Sequence, residues 1–515
     1  MNTPSTSPVD IDPTTSPHHA EAATPRRRRT GAVLAVIGAA AVIGLGIGAA
    51  IGPQHQTVGA ATAGDEALAD RVRALPGSLD GFRSLSVAEV GPDGVVFAGL
   101  GDADPAHPGA PQPDTVFELG SITKTFTGAL FADAIERGEV EPDDRLAQHL
   151  PELDGTPAGD VTLASLAQHS SGLPGLGATA GDAAAGNIIF NENAYATTTT
   201  DQLVADAAAA PVDPDQGAVY SNFAVSLLGT ALAEAAGADD YAALLAERLT
   251  GPLGMDRTTV AATADEVPDD AVPGFLLNGT PAPRWWGSGY LPAGASTFTT
   301  AEDLAIWAQA NLDGTAPGAA ALEPTAPMGE TAEIGWAWIT SPSFDGEGTQ
   351  VWHNGGTAGF RTILVLDREA QTAVIVLSNT VAPADFVAMS LAAGTPVDAT
   401  DDVSLTIGWV VFGLALLLGA IALFRALRAR ALLPSISDLV WATFALLLLW
   451  RHGPWFTVGG WVWGLALAPA LAALAVLVIR AARGGLPFLP RRRAWFWWPM
   501  TVIGAGLAVG VTFLW

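Results

Sequence analysis

The chain has no cysteine among its 515 residues, which rules out a disulfide framework and a thiolate metal site. That absence neither requires nor excludes an extracytoplasmic location. Lysine is all but missing: Lys124 stands alone beside 23 arginines. Arginine keeps its proton at every ordinary pH, whereas lysine can release it. The one side chain of this type that could act as a base therefore sits at position 124. The eight histidines are scattered and form no HExxH or similar ligand spacing, so neither a metal nor any other cofactor is expected. Positive charge is scarce too, with 52 acidic against 24 basic side chains and a net charge of −28. The deficit lies in residues 65–400, where 46 acidic face 11 basic groups, a net of −35. Such a surface repels phosphate and argues against nucleic acid as a partner. Simple solubility accounts for the acidity.

What is plentiful is apolar sequence, at 49% of the chain with a mean hydropathy of +0.33, and it comes in runs. Residues 1–30 read as a polar tail ending in Arg26–Arg29. Gly31–Ile51 follows, 21 uncharged residues, enough to cross a bilayer, with the basic cluster holding the N-terminus inside. An anchor is expected; a cleaved signal peptide is the alternative, since Ala61-Thr62-Ala63 has the small-x-small form. Residues 52–66 read as a linker, and 67–398 as the globular domain. Past Asp402 the runs 405–424, 436–452, 461–479 and 494–514 read as four more spans, the second being the least secure. Arginine-rich loops at 425–430 and 480–493 mark the cytoplasmic side. Five crossings then leave the large domain and the C-terminus outside, in an integral protein of the plasma membrane. Ten of the sixteen tryptophans lie beyond residue 400, mostly at span ends, as interfacial belts do.

Within 67–398, Arg83–Val90 and Val95–Leu100 flank Gly91-Pro92-Asp93-Gly94 and read as a hairpin. Phe360–Leu366 and Thr372–Leu377 read as a second one. Helical stretches fall near 201–210, 223–236, 241–249 and 301–312. Strands at both ends with helices between predict an α/β (α+β) domain whose single sheet is closed by the two ends of the domain.

The stretch that organises this domain is Phe117-Glu118-Leu119-Gly120-Ser121-Ile122-Thr123-Lys124. Apolar residues at Phe126, Ala129, Leu130, Ala134 and Ile135, with Gly138 beyond, predict a helix that Ser121 opens. Positions i and i+3 share a face, so the Lys124 amine can reach the Ser121 hydroxyl. A serine is a poor nucleophile until a base takes its proton, and lysine serves only if its pKa falls. An N-cap serine with a solvated lysine would fit the same spacing; the sole lysine at this place favours chemistry. Two further short motifs could complete a site: Tyr220-Ser221-Asn222 before a helix, and His353-Asn354-Gly355-Gly356-Thr357 between strands. Each alone would pass for a turn. The three in this order are far more specific.

Together they resemble the serine β-lactamase and penicillin-binding-protein family, in its class C-like branch of carboxypeptidases, aminopeptidases and esterases. Gln168-His169-Ser170-Ser171-Gly172-Leu173-Pro174, Pro252-Leu253-Gly254-Met255 and Gly294-Ala295-Ser296-Thr297 also match, and the likeness spans roughly 67–395. It implies a β-lactamase/DD-peptidase-like fold, an antiparallel sheet flanked by helices plus a helical subdomain. It implies Ser121 as the acylated nucleophile, Lys124 as its base and Tyr220 as a proton relay. Asn222 would bind the substrate amide, His353 would stand in the place of the family's KTG lysine, and Ser121 and Gly356 N–H groups would form an oxyanion hole, with Gly355 beside them. His169 would be structural. Two departures stand out. His353 replaces a fixed charge with a group that titrates near 6.5 and would read carboxylates better on protonation. Val381–Thr395 carries no basic residue to hold a substrate carboxylate.

The expected function is a membrane-anchored serine hydrolase acting on a small-molecule or peptidoglycan-type substrate, with esterase or peptidase ranked above β-lactamase. The alternative is a penicillin-binding sensor that acylates without turnover and signals through its membrane helices. Protein partners cannot be read from the sequence. Lys124→Arg and Ser121→Ala are each expected to abolish nitrophenyl-ester hydrolysis without unfolding the domain. Full activity in Lys124→Arg would overturn the assignment, because arginine cannot act as the base.

Overall fold

A computed structural model describes residues 25–513, apart from 76–78, 191, 344–345, 347, 397–402, 456 and 490–493. Most of the polar tail, the end of the expected globular segment and the Arg491–Arg493 cluster fall outside the described residues.

The chain enters through helix α1 (Pro25–Ile51) and then adds β1 (Thr62–Gly64), α2 (Glu66–Arg73), β2 (Ser84–Gly91) and β3 (Gly94–Gly101). The expected linker is thus not free: β1 pairs with β3, and Asp65 caps α2 through its side chain. Three residues with one bulky side chain gave too short a pattern to read. Much later come β7 (Ala326–Met328), β8 (Ala332–Ile334), β9 (Ile339–Pro342), β10 (Thr349–Gly356), β11 (Arg361–Asp367) and β12 (Thr372–Ser378). These form one antiparallel nine-stranded sheet in the order β1-β3-β2-β12-β11-β10-β9-β8-β7. β2 from the start of the domain pairs with β12 from its end, Val90 opposite Ala373. Closure of the sheet by the two ends of the domain is therefore as the pattern predicted. The middle strands are apolar throughout because both faces are covered. In β11, Ile363 and Val365 face α2 and helix α8 (Asp385–Ala393), while Leu364 and Leu366 face the larger core.

That larger core holds α3 (Thr123–Glu136), α4 (Ala178–Phe190), α5 (Thr200–Ala209), α6 (Asn222–Ala236) and α7 (Ala301–Leu312). Phe126 and Trp307 meet edge-on at 5.2 Å between α3 and α7. A second, three-stranded sheet, β4 (Phe117–Glu118), β6 (Thr297–Thr299) and β5 (Thr259–Val260), leads into the turn that carries Ser121.

Beyond the domain lie α9 (Val403–Leu427), α10 (Leu432–His452), α11 (Trp461–Ala482) and α12 (Ala494–Phe513). Among the described residues, four helices are long and apolar enough to cross a membrane: α1, α9, α10 and α11. The least secure expected span becomes a full helix of 21 residues that starts before Pro434. A proline in the first helical turn removes only an N–H that has no intrahelical partner anyway. The helix α12 packs on α10.

Glycines bring α1 and α11 into backbone contact. A Cβ on Gly48 would lie 2.5 Å from the Gly460 oxygen and 2.7 Å from Gly464 Cα, and one on Gly44 would lie 2.6 Å from the Gly464 oxygen. Small residues at four-residue spacing permit such an approach between apolar helices. The domain also rests on this bundle: Asn278 Nδ2 donates to the Trp450 carbonyl at 3.1 Å, and His55 Nδ1 lies 3.0 Å from the Trp455 carbonyl. Gly48→Leu should lower the melting temperature of the detergent-purified full chain, an overpacking loss of roughly 1–3 kcal/mol. Gly46→Leu should change it little, since nothing lies within 4 Å of a Cβ there. Equal behaviour of the two would contradict the packing.

Candidate active site

The candidate site is assembled from the Ser121 turn, the start of α6, a loop before β6 and the end of β10. Leu119 N–H donates to the Thr297 carbonyl at 2.8 Å, and the Leu119 carbonyl accepts from Thr362 Oγ1 at 2.6 Å. The turn is thus tied to both sheets. Gly120 takes φ +66°, a left-handed value, and a Cβ there would lie 2.7 Å from Gly356 N. A Cβ on Gly355 would lie 2.2 Å from the Leu119 oxygen and 3.2 Å from Ser121 N. Only glycines let β10 come this close, and the approach places the Ser121 and Gly356 backbones side by side. Residues 120–122 form a 3₁₀ turn, so Ser121 precedes α3 rather than lying inside it. The one-face relation to Lys124 is kept.

Lys124 is wholly buried. A hydrogen bond of 2.8 Å joins its Nζ to Ser121 Oγ, and Nζ donates to the Ala293 carbonyl at 2.7 Å. The Tyr220 ring lies 4.9 Å from Nζ. Burial holds the lysine pKa well below its ordinary value. A neutral amine can both donate to Ala293 and accept the serine proton. The Ala293 carbonyl could not be found from sequence, because any residue type supplies one; the Gly294 beside it, at φ +89°, was part of a matching motif.

Tyr220 is 39% exposed, yet its hydroxyl end is buried beside Ser121. Burial of that end raises the phenol's pKa, with the neighbouring Ser121 hydroxyl opposing, so the group stays protonated at neutral pH. Ser221 caps α6, accepting from Ala224 N at 3.0 Å and donating to the Pro174 carbonyl at 2.7 Å. His169 supports this corner, at φ 57° with 2% exposure. Its Nδ1 accepts from Ser221 N at 3.2 Å, and its ring lies 4.5 Å from that of Tyr220. The expected structural histidine therefore packs directly behind the phenol. Asn222 Nδ2 donates to the Tyr195 hydroxyl at 3.4 Å, while its Oδ1 is buried without a partner among the described residues.

His353 differs from its expectation. It is 1% exposed, and burial together with the nearby Lys124 pushes its pKa down to about 3. It stays neutral from pH 5 to 8, so the predicted rise in carboxylate recognition through pH 6.5 has no titrating group behind it. Its Nδ1 lies 2.6 Å from the Asn354 carbonyl, and a carbonyl can only accept. Nδ1 therefore carries the proton, and Nε2 is a buried acceptor without a partner among the described residues. A neutral ring in this tautomer has no donor left for a carboxylate. Arg361, which no motif singled out, has its guanidinium beside Gly356 and donates to the Thr357 and Phe360 carbonyls at 3.0 and 2.8 Å. Glu118, also unassigned from sequence, is 1% exposed; it accepts from Trp285 N at 3.1 Å, and burial raises its pKa to about 7.

These shifts set opposite stability slopes. Between pH 6.5 and about 3 the unfolded chain binds protons on His169 and His353 that the folded chain does not. Their contribution is complete above pH 6.5 and is lost as the pH falls. Glu118 contributes below pH 4.5 and loses that contribution as the pH rises through about 7. Denaturant unfolding of the full chain from pH 4 to 8 should show His353→Gln flattening the acid side, by up to about 1 kcal/mol per pH unit. Glu118→Gln should alter the neutral side with the opposite sign. Identical slopes in wild type and His353→Gln would refute the buried neutral ring.

Comparison with known proteins places this geometry in context. The family model described as Beta-lactamase matches residues 68–394. The D-alanyl-D-alanine-carboxypeptidase/endopeptidase AmpH of Escherichia coli (strain K12) is 33% identical over 181 residues, covering 33% of this chain and 43% of that protein. The match thus spans under half of that relative's length. A beta-lactamase/D-alanine carboxypeptidase from Pseudomonas syringae superposes with a TM-score of 0.53 at 19% identity, over 65% of this chain and 98% of that one. The octameric penicillin-binding protein homologue from Pyrococcus abyssi gives 0.54 at 22% identity, over 68% and 80%. At these identities the two structures speak for the fold.

Proposed function

Because the chain belongs to the beta-lactamase family, we propose that it is a membrane-anchored serine hydrolase acting through an acyl-enzyme. Its substrates are D-amino-acid peptides or esters of the cell envelope. The observation that carries this reading is the wholly buried Lys124 amine, 2.8 Å from Ser121 Oγ and held by a carbonyl rather than a carboxylate. The printed activity of AmpH, a D-alanyl-D-alanine carboxypeptidase/endopeptidase, supports the peptide side of the substrate class.

In this mechanism Ser121 Oγ attacks the substrate carbonyl carbon while Lys124 takes the hydroxyl proton. The carbonyl oxygen becomes an oxyanion held by the Ser121 and Gly356 N–H groups, donors that typically matter by about 10²–10³ in rate. Collapse breaks the bond to the leaving group. Tyr220, held as a phenol, donates the proton that the leaving amine or alkoxide needs, and the Lys124 ammonium reprotonates it. Water then attacks the acyl-serine, giving up its proton through Tyr220 to neutral Lys124, and the Lys124 ammonium returns a proton to Ser121 Oγ, which leaves as the hydroxyl. Asn222 Oδ1, an unpaired buried acceptor, takes a substrate amide N–H. His353 and Gly355 shape the strand edge on which the substrate lies.

The catalytic unit occupies residues 67–398, outside the membrane. Residues 31–51, 405–424, 436–452, 461–479 and 494–514 are the spans, with 1–30 cytoplasmic. Packing of α1 against α11 through Gly44 and Gly48 favours an anchor that stays in place over a cleaved signal peptide. Turnover separates this reading from the sensor. A fluorophosphonate and a fluorescent penicillin should both label Ser121, and the penicillin label should be lost with time. A permanent penicillin adduct would favour the sensor, and no adduct from either probe would refute the nucleophile. With His353 neutral and its donor occupied, neutral esters should exceed cephalosporins in kcat/KM, at a ratio that is flat from pH 5 to 8. Efficient cephalosporin hydrolysis at pH 8 would reverse the ranking of esterase or peptidase above β-lactamase.

A further inference from the structure

Far from Ser121, at the other end of the membrane bundle, the turn between α9 and α10 closes a cavity of about 270 Å³. Arg425, Arg428 and Arg430 line it, with Ser435 at the start of α10 and Trp497 of α12. This is the end that the arginine-rich loops assign to the cytoplasm. Nothing in the hydrolytic mechanism uses it.

The turn is held in place from a third helix. Arg480 of α11 donates to the carbonyls of Ala426, Leu427 and Ala429 at 2.9, 2.6 and 2.7 Å, capping the end of α9. Leu432 and Leu433 N–H groups donate to the Pro487 and Phe488 carbonyls at 2.9 and 3.0 Å. The three arginines thus project from a fixed backbone. Arg425 is paired with Asp438 at 3.0 Å and lies 4.7 Å over the Trp497 ring. Arg428 lies 3.9 Å over the Phe424 ring. Among the described residues, no carboxylate pairs with Arg428 or Arg430. Three guanidinium groups and one carboxylate leave the cavity at +2. Arginine's planar fork matches phosphate oxygens in pairs, so the cavity is built for a phosphate ester.

The surface leading to it is that of a lipid path. Val410, Leu414, Leu417, Ile421 and Phe424 are 66%, 42%, 56%, 38% and 54% exposed. Their spacing of four, three, four and three residues puts them on one face of α9, running from the middle of the helix to the cavity mouth. A free phosphate has no use for this stripe, whereas acyl chains would lie along it.

We propose that this cavity binds the phosphodiester headgroup of an anionic phospholipid in the cytoplasmic leaflet, with its acyl chains along the exposed face of α9. Bound there, the lipid joins α9, α10 and α12 at the end of the bundle opposite the catalytic domain. This rests on the reading of α9–α11 as membrane spans.

The test uses the full chain in a neutral detergent, with binding followed by native mass spectrometry. Phosphatidylglycerol is the probe, phosphatidylcholine the uncharged control and inorganic phosphate the competitor. Phosphatidylglycerol should bind one saturable site more tightly than phosphatidylcholine. The double variant Arg428→Gln/Arg430→Gln should weaken it about 30-fold, as expected for two interfacial arginines. Arg483→Gln, a basic residue on the same side but outside the cavity, should leave binding unchanged. Fluorophosphonate labelling of Ser121 in every variant would show that the chain is folded. Equal binding of the two lipids, or unchanged binding in the double variant, would overturn the proposal. Displacement by millimolar inorganic phosphate would mean an aqueous phosphate site instead. Extraction of the chain from membranes by alkaline carbonate would strike separately at the spanning reading.

Discussion

The burial of one amine without a counter-charge is the constraint on which the catalytic half of this molecule rests. Lys124 has a serine hydroxyl, a carbonyl and the face of a tyrosine ring around it. A charged ammonium there would lose most of its hydration and gain only dipoles in return. The neutral form is the one the site accommodates, and a neutral lysine beside a serine is a base. The neighbouring groups follow the same rule. His169 and His353 are neutral for the same reason, and Tyr220 keeps its proton. The centre is therefore a set of uncharged, mostly buried groups, where a developing oxyanion would be the dominant charge.

Close backbone approach is the second theme, and it occurs twice. Gly120 and Gly355 let β10 meet the nucleophile turn, and Gly44, Gly48, Gly460 and Gly464 let α1 meet α11. In both places a methyl group would collide with backbone, which cannot move aside as a side chain can. The first approach sets the pair of N–H groups beside the serine. The second fixes the entry of the chain into the domain, whose loop at Leu277–Asn278 rests on the bundle. Catalytic domain and apolar helices are thus continuous in packing.

Much of this was legible in the sequence because it is local. The i, i+3 relation of Ser121 and Lys124 needs only the helix that the apolar spacing predicts, and the hairpins of β2–β3 and β11–β12 announce themselves by turn residues and alternation. Tyr220, Asn222 and His353 were found through motif resemblance, since the contacts that join them to Ser121 cross about a hundred residues or more. What escaped was of two kinds. Some contacts are made by backbone, as with the Ala293 carbonyl, or by a strand as short as β1. Others depend on depth: the sequence shows a histidine at 353 but not that its donor is spent on Asn354 or that burial keeps it neutral. Glu118 and Arg361 were passed over for the same reason, as their meaning comes from neighbours remote in the chain.

The sole lysine makes the central claim directly measurable. Protein grown with lysine labelled with ¹³C at the ε carbon carries a single side-chain signal, which needs no assignment. Its chemical shift, followed against pH in the full chain, titrates the Lys124 amine itself. The shift of a neutral amine is expected at pH 8, with a midpoint well below the ordinary 10.5. A signal that stays that of an ammonium up to pH 10 would contradict it and leave Ser121 without its base.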